Sequence, residues 1–310
     1  MNPRCSISRF SLLLTVALSL ALFGAAFVGL AGDGVYSEGM FELGDGVPPP
    51  GMPGMADITA NSGQSGPDWG EIFNADGSAR DDYPLDADGN PMGNGVPDYQ
   101  ELYGGQWAVF TADYVSMGSD FEGDALTADG RVVNSVVQPD HDLGNAYVYS
   151  TVDSSGNLVL FAAAERLGAG NSTIEFEFNQ DTFRLGHGGF GQNAPWEVLG
   201  SRVDGDILVT LTFSGGSLGA VSASAWAGSS WMPLSNIVGE SCDASEFLCA
   251  ICNADAIDGG AWSGHAIEAG RFVEMGINIG ALLPGAQPAF ATVRLRTPQD
   301  AAFGYFGEGN

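Results

Sequence analysis

Thr173-Ile174-Glu175-Phe176-Glu177-Phe178 is the stretch that decides the fold. Its apolar residues fall at Ile174, Phe176 and Phe178, and its carboxylates at Glu175 and Glu177. A period of two sends successive side chains to opposite faces of a strand, so the segment predicts a half-buried β-strand with one apolar face. Upstream, Gly168-Ala169-Gly170-Asn171 and Asp153-Ser154-Ser155-Gly156-Asn157 have hairpin chemistry and flank the apolar run Leu158 to Ala164. Together these segments predict a three-stranded meander from Ala146 to Phe178.

The same texture recurs along the chain. Strands are expected at Trp107 to Ala112, Ala146 to Thr151, Leu158 to Ala164, Thr173 to Phe178, Ile207 to Phe213, Ala220 to Trp226, Phe272 to Ile279 and Ala289 to Arg296. Helical spacing is weak, and 46 glycines with 15 prolines would interrupt most helices, leaving single turns at Ser245 to Cys252 and Ile279 to Leu283. The expected fold is all-β, an antiparallel, jelly-roll-like β-sandwich with long acidic loops and little helix. It occupies residues 68–310. Residues 32–67, with Pro48-Pro49-Pro50-Gly51-Met52-Pro53-Gly54, read as a flexible Gly/Pro-rich arm.

Residues 1–31 read as a signal peptide. Arg4 and Arg9 precede an uncharged apolar run from Phe10 to Ala31, and small residues at Gly24, Ala25, Ala26, Gly29 and Ala31 suit cleavage, favoured near Ala31. The alternative is an uncleaved anchor, because the run is close to the ~20 residues that span a bilayer. That leader is the one membrane contact expected. The remainder is placed outside the cell or on its surface.

The chain carries 38 acidic residues against 10 basic ones, every basic residue being an arginine, for a net charge of −28. Phosphate contacts need clustered cations, so nucleic acid is excluded as a partner. The charge suits a saline habitat, or else an arginine-preferring genome combined with cation-binding loops.

Cys242, Cys249 and Cys252 follow the leader within one short segment. One local disulfide is expected in an oxidising compartment, Cys242 to Cys252 or Cys242 to Cys249, the first being preferred. The C-x-x-C spacing of Cys249 and Cys252 admits a zinc site only with His265 or an acid as further ligand.

Several segments taken in order carry a resemblance. They are Asp142-Leu143-Gly144-Asn145-Ala146-Tyr147, Leu158-Val159-Leu160-Phe161 with Glu165-Arg166, Gly170 to Phe176, Asp204 to Val209, and Phe272 to Ile279. Trp69 to the carboxy terminus resembles a loosely defined group of exported bacterial surface proteins, found beside prealbumin-like and other adhesin-type β-domains. The resemblance implies a β-sandwich without catalytic residues and with Cys242 paired to one of the later cysteines. Phe290 to Arg296 lacks the cysteine that a second disulfide would need.

The candidate metal site is the loop from Asp86 to Glu101, with Asp86, Asp88, Asn90, Asn94, Asp98 and Glu101 as oxygen donors for Ca2+. It departs from EF-hand and thrombospondin type-3 loops at Met92, which stands where a ligand is needed. The bland alternative is a solvated acidic turn. Asp140-His141-Asp142 and Asp120, Glu122 and Asp124 are expected to be plain solvated clusters. Trp196 and Trp262, in Gly/Pro-rich loops, are the candidates for stacking on a sugar, whereas Trp226 reads as core. Glu165 and Arg166, which close a strand, are candidates for an ion pair with a neighbour, as is Arg202 with Asp204 or Asp206. No G-x-S-x-G, H-E-x-x-H or Walker pattern is present. The leading expectation is a non-enzymatic structural or adhesive protein, calcium-stabilised, with an extracellular glycan or cell-surface partner. A carbohydrate-binding module and a polysaccharide hydrolase follow in that order.

Overall fold

Two antiparallel sheets packed face to face form the body of the protein. The computed structural model describes residues 32–36, 41, 43, 68–69, 107–111, 124–126, 132–134, 139–181, 184–187, 196–238, 242, 245–258, 266–285, 290, 292–297 and 302–306. One sheet has five strands, in the order β1 (Trp107–Thr111), β4 (Leu143–Val152), β5 (Leu158–Arg166), β15 (Phe272–Asn278) and β12 (Leu248–Cys252). The other has eight. It begins with β11 (Ser230–Val238), β10 (Ser217–Ala227), β9 (Ile207–Ser214) and β6 (Ser172–Asn179). It continues through β16 (Thr292–Thr297), β17 (Ala302–Phe306), β2 (Asp124–Leu126) and β3 (Val132–Asn134). Two small hairpins, β7 (Arg184–His187) with β8 (Trp196–Leu199) and β13 (Ile257–Asp258) with β14 (Ala266–Ile267), stand apart from these sheets. The all-β, two-sheet expectation is met.

Alternation builds the space between the sheets. Ile174, Phe176 and Phe178 of β6 meet Leu160, Ala162 and Ala164 of β5 and Val273, Met275 and Ile277 of β15 in one buried cluster. Burying a residue of the size of Leu, Ile or Phe contributes about 1.5–3 kcal/mol, so this interior dominates the stability. All eight strands read from the sequence occur, most of them one to three residues longer at an end. The helical turn after Phe272 to Asn278 is α1 (Ile279–Leu282), capped where Asn278 Oδ1 accepts from Ala281 N–H at 2.9 Å.

The expected meander does not form. β4 and β5 do make a hairpin, with Gly156 at φ 80° in its turn. However, β6 joins the other sheet, so Gly168 to Asn171 carries the chain across the sandwich. Arg166 fixes that crossing: its Nη1 donates to Gly270 O at 2.8 Å, and its Nη2 donates to Gly170 O at 2.6 Å and Ser172 Oγ at 2.9 Å. Its guanidinium lies 3.9 Å from the centre of the Phe213 ring. Asp140 accepts from Gly170 N–H at 2.8 Å, so close that a β-carbon at Gly170 would collide with the carboxylate. Ser245 to Cys252, expected as a helical turn, instead ends in β12, whose alternation points Leu248, Ala250 and Cys252 inward and Cys249 and Ile251 outward.

A second apolar layer covers the outer face of the five-stranded sheet. Tyr147, Tyr149, Val159, Phe161 and Phe272 pack there with Val35, Tyr36, Phe41, Leu43 and Trp69. Four of these, Val35, Tyr36, Phe41 and Leu43, belong to the segment read as an arm, and all four are buried. Period alone could not reveal them, because they cover a sheet without forming a strand of it. At the far edge of the sandwich, Pro233 in β11 cannot donate to a further strand, which blunts that edge.

Candidate functional site

Charge is concentrated on the outer face of the eight-stranded sheet. The alternation that sends Phe176 and Phe178 inward sends Glu175, Glu177 and Asn179 outward, and β16 sets Arg296 opposite Glu175 and Arg294 opposite Glu177. Arg296 Nε meets Glu175 Oε2 at 2.5 Å, and Arg294 Nη2 pairs with Glu177 Oε2. Glu177 is fully buried, not half exposed as its alternation suggested.

A third arginine completes the coordination. Arg202 Nε reaches Glu177 Oε1 at 2.6 Å and its Nη2 reaches Oε2 at 2.9 Å, a forked pair. The expected partners of Arg202, Asp204 and Asp206, do other work. Asp206 accepts from Gln180 N–H at 2.8 Å, Val203 N–H at 3.0 Å and Asn179 Nδ2 at 3.1 Å, while Asp204 accepts from Gly228 N–H at 2.5 Å. Asn179 Nδ2 also donates to Glu177 Oε1 at 2.9 Å. The Arg202 guanidinium sits 5.3 Å from the centre of the Trp226 ring and 5.2 Å from that of Trp231, and the two rings meet edge to face at 5.2 Å. Trp226, expected in the core, is therefore half-buried on the outer face.

The electrostatics follow from this crowd of donors. Burial pushes the Glu177 carboxyl up, but the hydrogen bond from Arg202, the charge of Arg294 and the bond from Asn179 outweigh it and hold the group at about 2. Burial also pulls Arg294 below its ordinary value, against the pull of Glu177. A carboxylate with both oxygens occupied and so low a pKa is poorly matched to general acid or base work at neutral pH. It suits fastening the loop from Ser201 to Asp206 onto β6 and β16.

A different pair of acids lies under the aromatic layer. Glu165 Oε1 accepts from Tyr147 Oη at 2.7 Å and Asn145 Nδ2 at 2.8 Å, and Trp69 Nε1 donates to Glu274 Oε2 at 3.0 Å. Both acids are buried on the outward-facing side of their strands. Arg166, expected to form an ion pair with a neighbour, points to the other side and donates to the carbonyls of Gly270 and Gly170 and to the Ser172 hydroxyl.

Most of the remaining sequence candidates lie beyond what the structure describes. Asp86, Asp88, Asn90, Asn94, Asp98, Glu101 and Trp262 lie outside the described residues, and Trp196 opens β8 opposite His187. His141 Nε2 lies 3.2 Å from Asn171 O, and Asp142 accepts from Leu143 N–H at 3.1 Å. Among the described residues no group of three or more His, Cys, Asp or Glu is arranged to hold a metal ion.

The disulfide joins Cys242 to Cys249, with their Cα atoms 5.4 Å apart, and not to Cys252, the partner expected first. Three positions apart on one strand, Cys249 and Cys252 face opposite ways. Cys249 lies with Cys242 on the outer side and Cys252 lies inside the sandwich. The same geometry dismantles the C-x-x-C zinc reading.

The Glu177 centre was missed because each strand was read alone. Glu-Phe-Glu at 175–177 and Arg-Leu-Arg at 294–296 have matching alternation and opposite sign, a pairing signal available in the sequence. Comparison with protein-family models, with curated proteins and with solved structures gives no match.

Proposed function

We propose that the chain is an exported, surface-displayed β-sandwich that serves as a structural or adhesive component and not as an enzyme. The observation that carries this reading is the saturation of Glu177. A fully buried acid engaged by Arg202, Arg294 and Asn179 fastens surface segments to the sheet instead of turning over a substrate. Export is supported by the leader pattern and by the Cys242–Cys249 disulfide, a bond that persists in oxidising compartments. The resemblance to exported adhesin-associated β-sandwich proteins belongs to the same proposal, as does calcium held by the Asp86 to Glu101 loop. Fractionation of a secreting host, combined with a screen of the purified protein for reducing ends released from polysaccharides, tests it. Recovery outside the cytoplasm with no release is expected. Sustained hydrolysis, or retention in the cytoplasm with the leader attached, would end the reading. For calcium, thermal unfolding is compared with and without chelator at matched ionic strength. A bound ion at a hundred times its Kd adds about 2.7 kcal/mol, and unchanged midpoints would remove it.

A second reading, carbohydrate binding, is favoured by Trp226 and Trp231 braced by Arg202 on the outer face. Half-buried rings of this kind can stack on a pyranose. A glycan array should then give hits that Trp231→Ala weakens at least tenfold, and an array without hits disposes of the idea.

A further inference from the structure

The contact-dense body of the protein begins at Gly32, the residue that follows the small-residue pattern Gly29-Leu30-Ala31. From there the chain is held at once. Asp33 N–H donates to Asp153 Oδ2 at 3.1 Å, Asp33 Oδ2 accepts from Ser154 N–H at 3.0 Å, and Asp33 O accepts from Asn278 Nδ2 at 2.8 Å. Val35 N–H then donates to Glu246 O at 2.8 Å, and the Val35 side chain is buried in the aromatic layer.

Gly32 itself fits a tight corner. A β-carbon there would stand 2.9 Å from Asn157 Nδ2, 3.0 Å from Asp153 Oδ2 and 3.2 Å from Ala281 Cβ. The α-nitrogen of Gly32 sits on the same Cα, about 2.5 Å from that position, and so lies within about 5.5 Å of Asp153 Oδ2. Asp153 is only 6% exposed. It accepts from Ser155 N–H at 2.9 Å, Asn157 N–H at 2.8 Å, and Asn157 Nδ2 and Asn278 Nδ2 at 2.8 Å each, besides Asp33. All these donors are neutral. Among the described residues no guanidinium or imidazolium pairs with this buried anion. Among the described residues the titratable side chain shown at this turn is Asp33, and α1 carries no charge in its end turns.

We propose that Gly32 is the first residue of the exported protein and that its α-ammonium, created by cutting the Ala31–Gly32 bond, is the counter-charge of Asp153. Hydrolysis adds water across that amide, leaving a carboxylate on Ala31 and an amine on Gly32, which takes up a proton at neutral pH. Leader removal thus completes a site in the fold as well as releasing the chain. The inference rests on the export reading and adds to it a defined terminus and a task for it. Asp153 is already prepared for a cation. Burial pushes its carboxyl up, yet the hydrogen bonds from Asn157, Asn278 and Asp33 outweigh this and hold it below the usual carboxylate range.

An α-amino group titrates near pH 8 in an unfolded chain, and a carboxylate beside it raises that value. Its contribution is therefore complete below about pH 8 and is lost as pH rises through the raised value. The experiment begins with the intact mass of the protein recovered outside the cell. A chain starting at Gly32 is expected, and an exported chain with another terminus overturns the inference while leaving export standing. The protein starting at Gly32 is then melted beside the same protein retaining Ala31, at pH 6.5 and at pH 10. The Gly32 form should unfold about 2–4 °C higher at pH 6.5, the size of shift one partly buried ion pair gives a domain of this class, and the gap should close at pH 10. Asp153→Asn should abolish the gap. Equal midpoints at pH 6.5, or a gap that survives at pH 10 or in Asp153→Asn, would overturn the pairing.

Discussion

The two outer faces of the sandwich are covered in opposite ways. On the eight-stranded sheet the cover is ionic: Glu177 is neutralised by Arg202 and Arg294, with Trp226 and Trp231 against the guanidinium of Arg202. On the five-stranded sheet it is aromatic: Phe41 lies 4.4 Å from Trp69 and 4.9 Å from Phe161, ring centre to ring centre, and the buried acids beneath have neutral donors in Tyr147, Asn145 and Trp69. The lesson is that a sheet facing away from the main core is sealed either by paired charge or by apolar mass. The two seals should fail under different conditions.

The largest effect should come from breaking the ionic seal. Glu177→Ala leaves Arg202 and Arg294 without their shared acid, and removing one partner of a buried pair costs about 3–5 kcal/mol, measurable by urea denaturation at pH 7. The same group sets an acid limit. Its folded pKa of about 2 lies below the ordinary glutamate value of 4.5, so its contribution is present above pH 4.5 and lost as pH falls through 2. That difference amounts to about 3 kcal/mol at neutral pH. Glu177→Gln should flatten the stability profile between those two pH values, and an unchanged slope would show that the ionic seal contributes nothing there.

Phe41→Ala tests the aromatic seal. Opening a cavity beside Trp69 and Phe161 should cost about 3 kcal/mol, with no change in acid dependence. A cost below 1 kcal/mol would mean that Phe41 is not part of a packed layer. Cys242→Ser opens the short loop to Cys249, and loop entropy puts the loss at about 2 kcal/mol. The midpoint should then no longer respond to reductant. Smallest is Glu175→Gln. Its pair with Arg296 is partly exposed on both sides, so about 1 kcal/mol at most is expected. A loss matching that of Glu177→Ala would make the two pairs one cooperative unit.

The strands were legible because alternation is local. Glu177 was placed on the right face, but its burial was not, since that depends on Arg202 and Asp206 arriving from a loop between β8 and β9. The turn at Asp153 to Asn157 was legible as a hairpin, whereas the docking of Asp33 on it spans 120 positions and leaves no mark on either segment. The three cysteines made a disulfide legible, whereas strand alternation says only that Cys249 and Cys252 face opposite ways, and the side on which Cys242 lies is a tertiary outcome.

The sequence by itself determined the all-β class, the inward row of Ile174, Phe176 and Phe178, and the glycine-bearing hairpin between β4 and β5. These follow from a two-residue period and from turn chemistry, which act between neighbours. Only the tertiary structure decided that β6 leaves the sheet of β5, that Phe41 and Trp69 cover the outer face, and that Glu177 is buried among arginines. Those outcomes depend on which distant surfaces fill each other's volume and charge, and no short window of sequence contains that information.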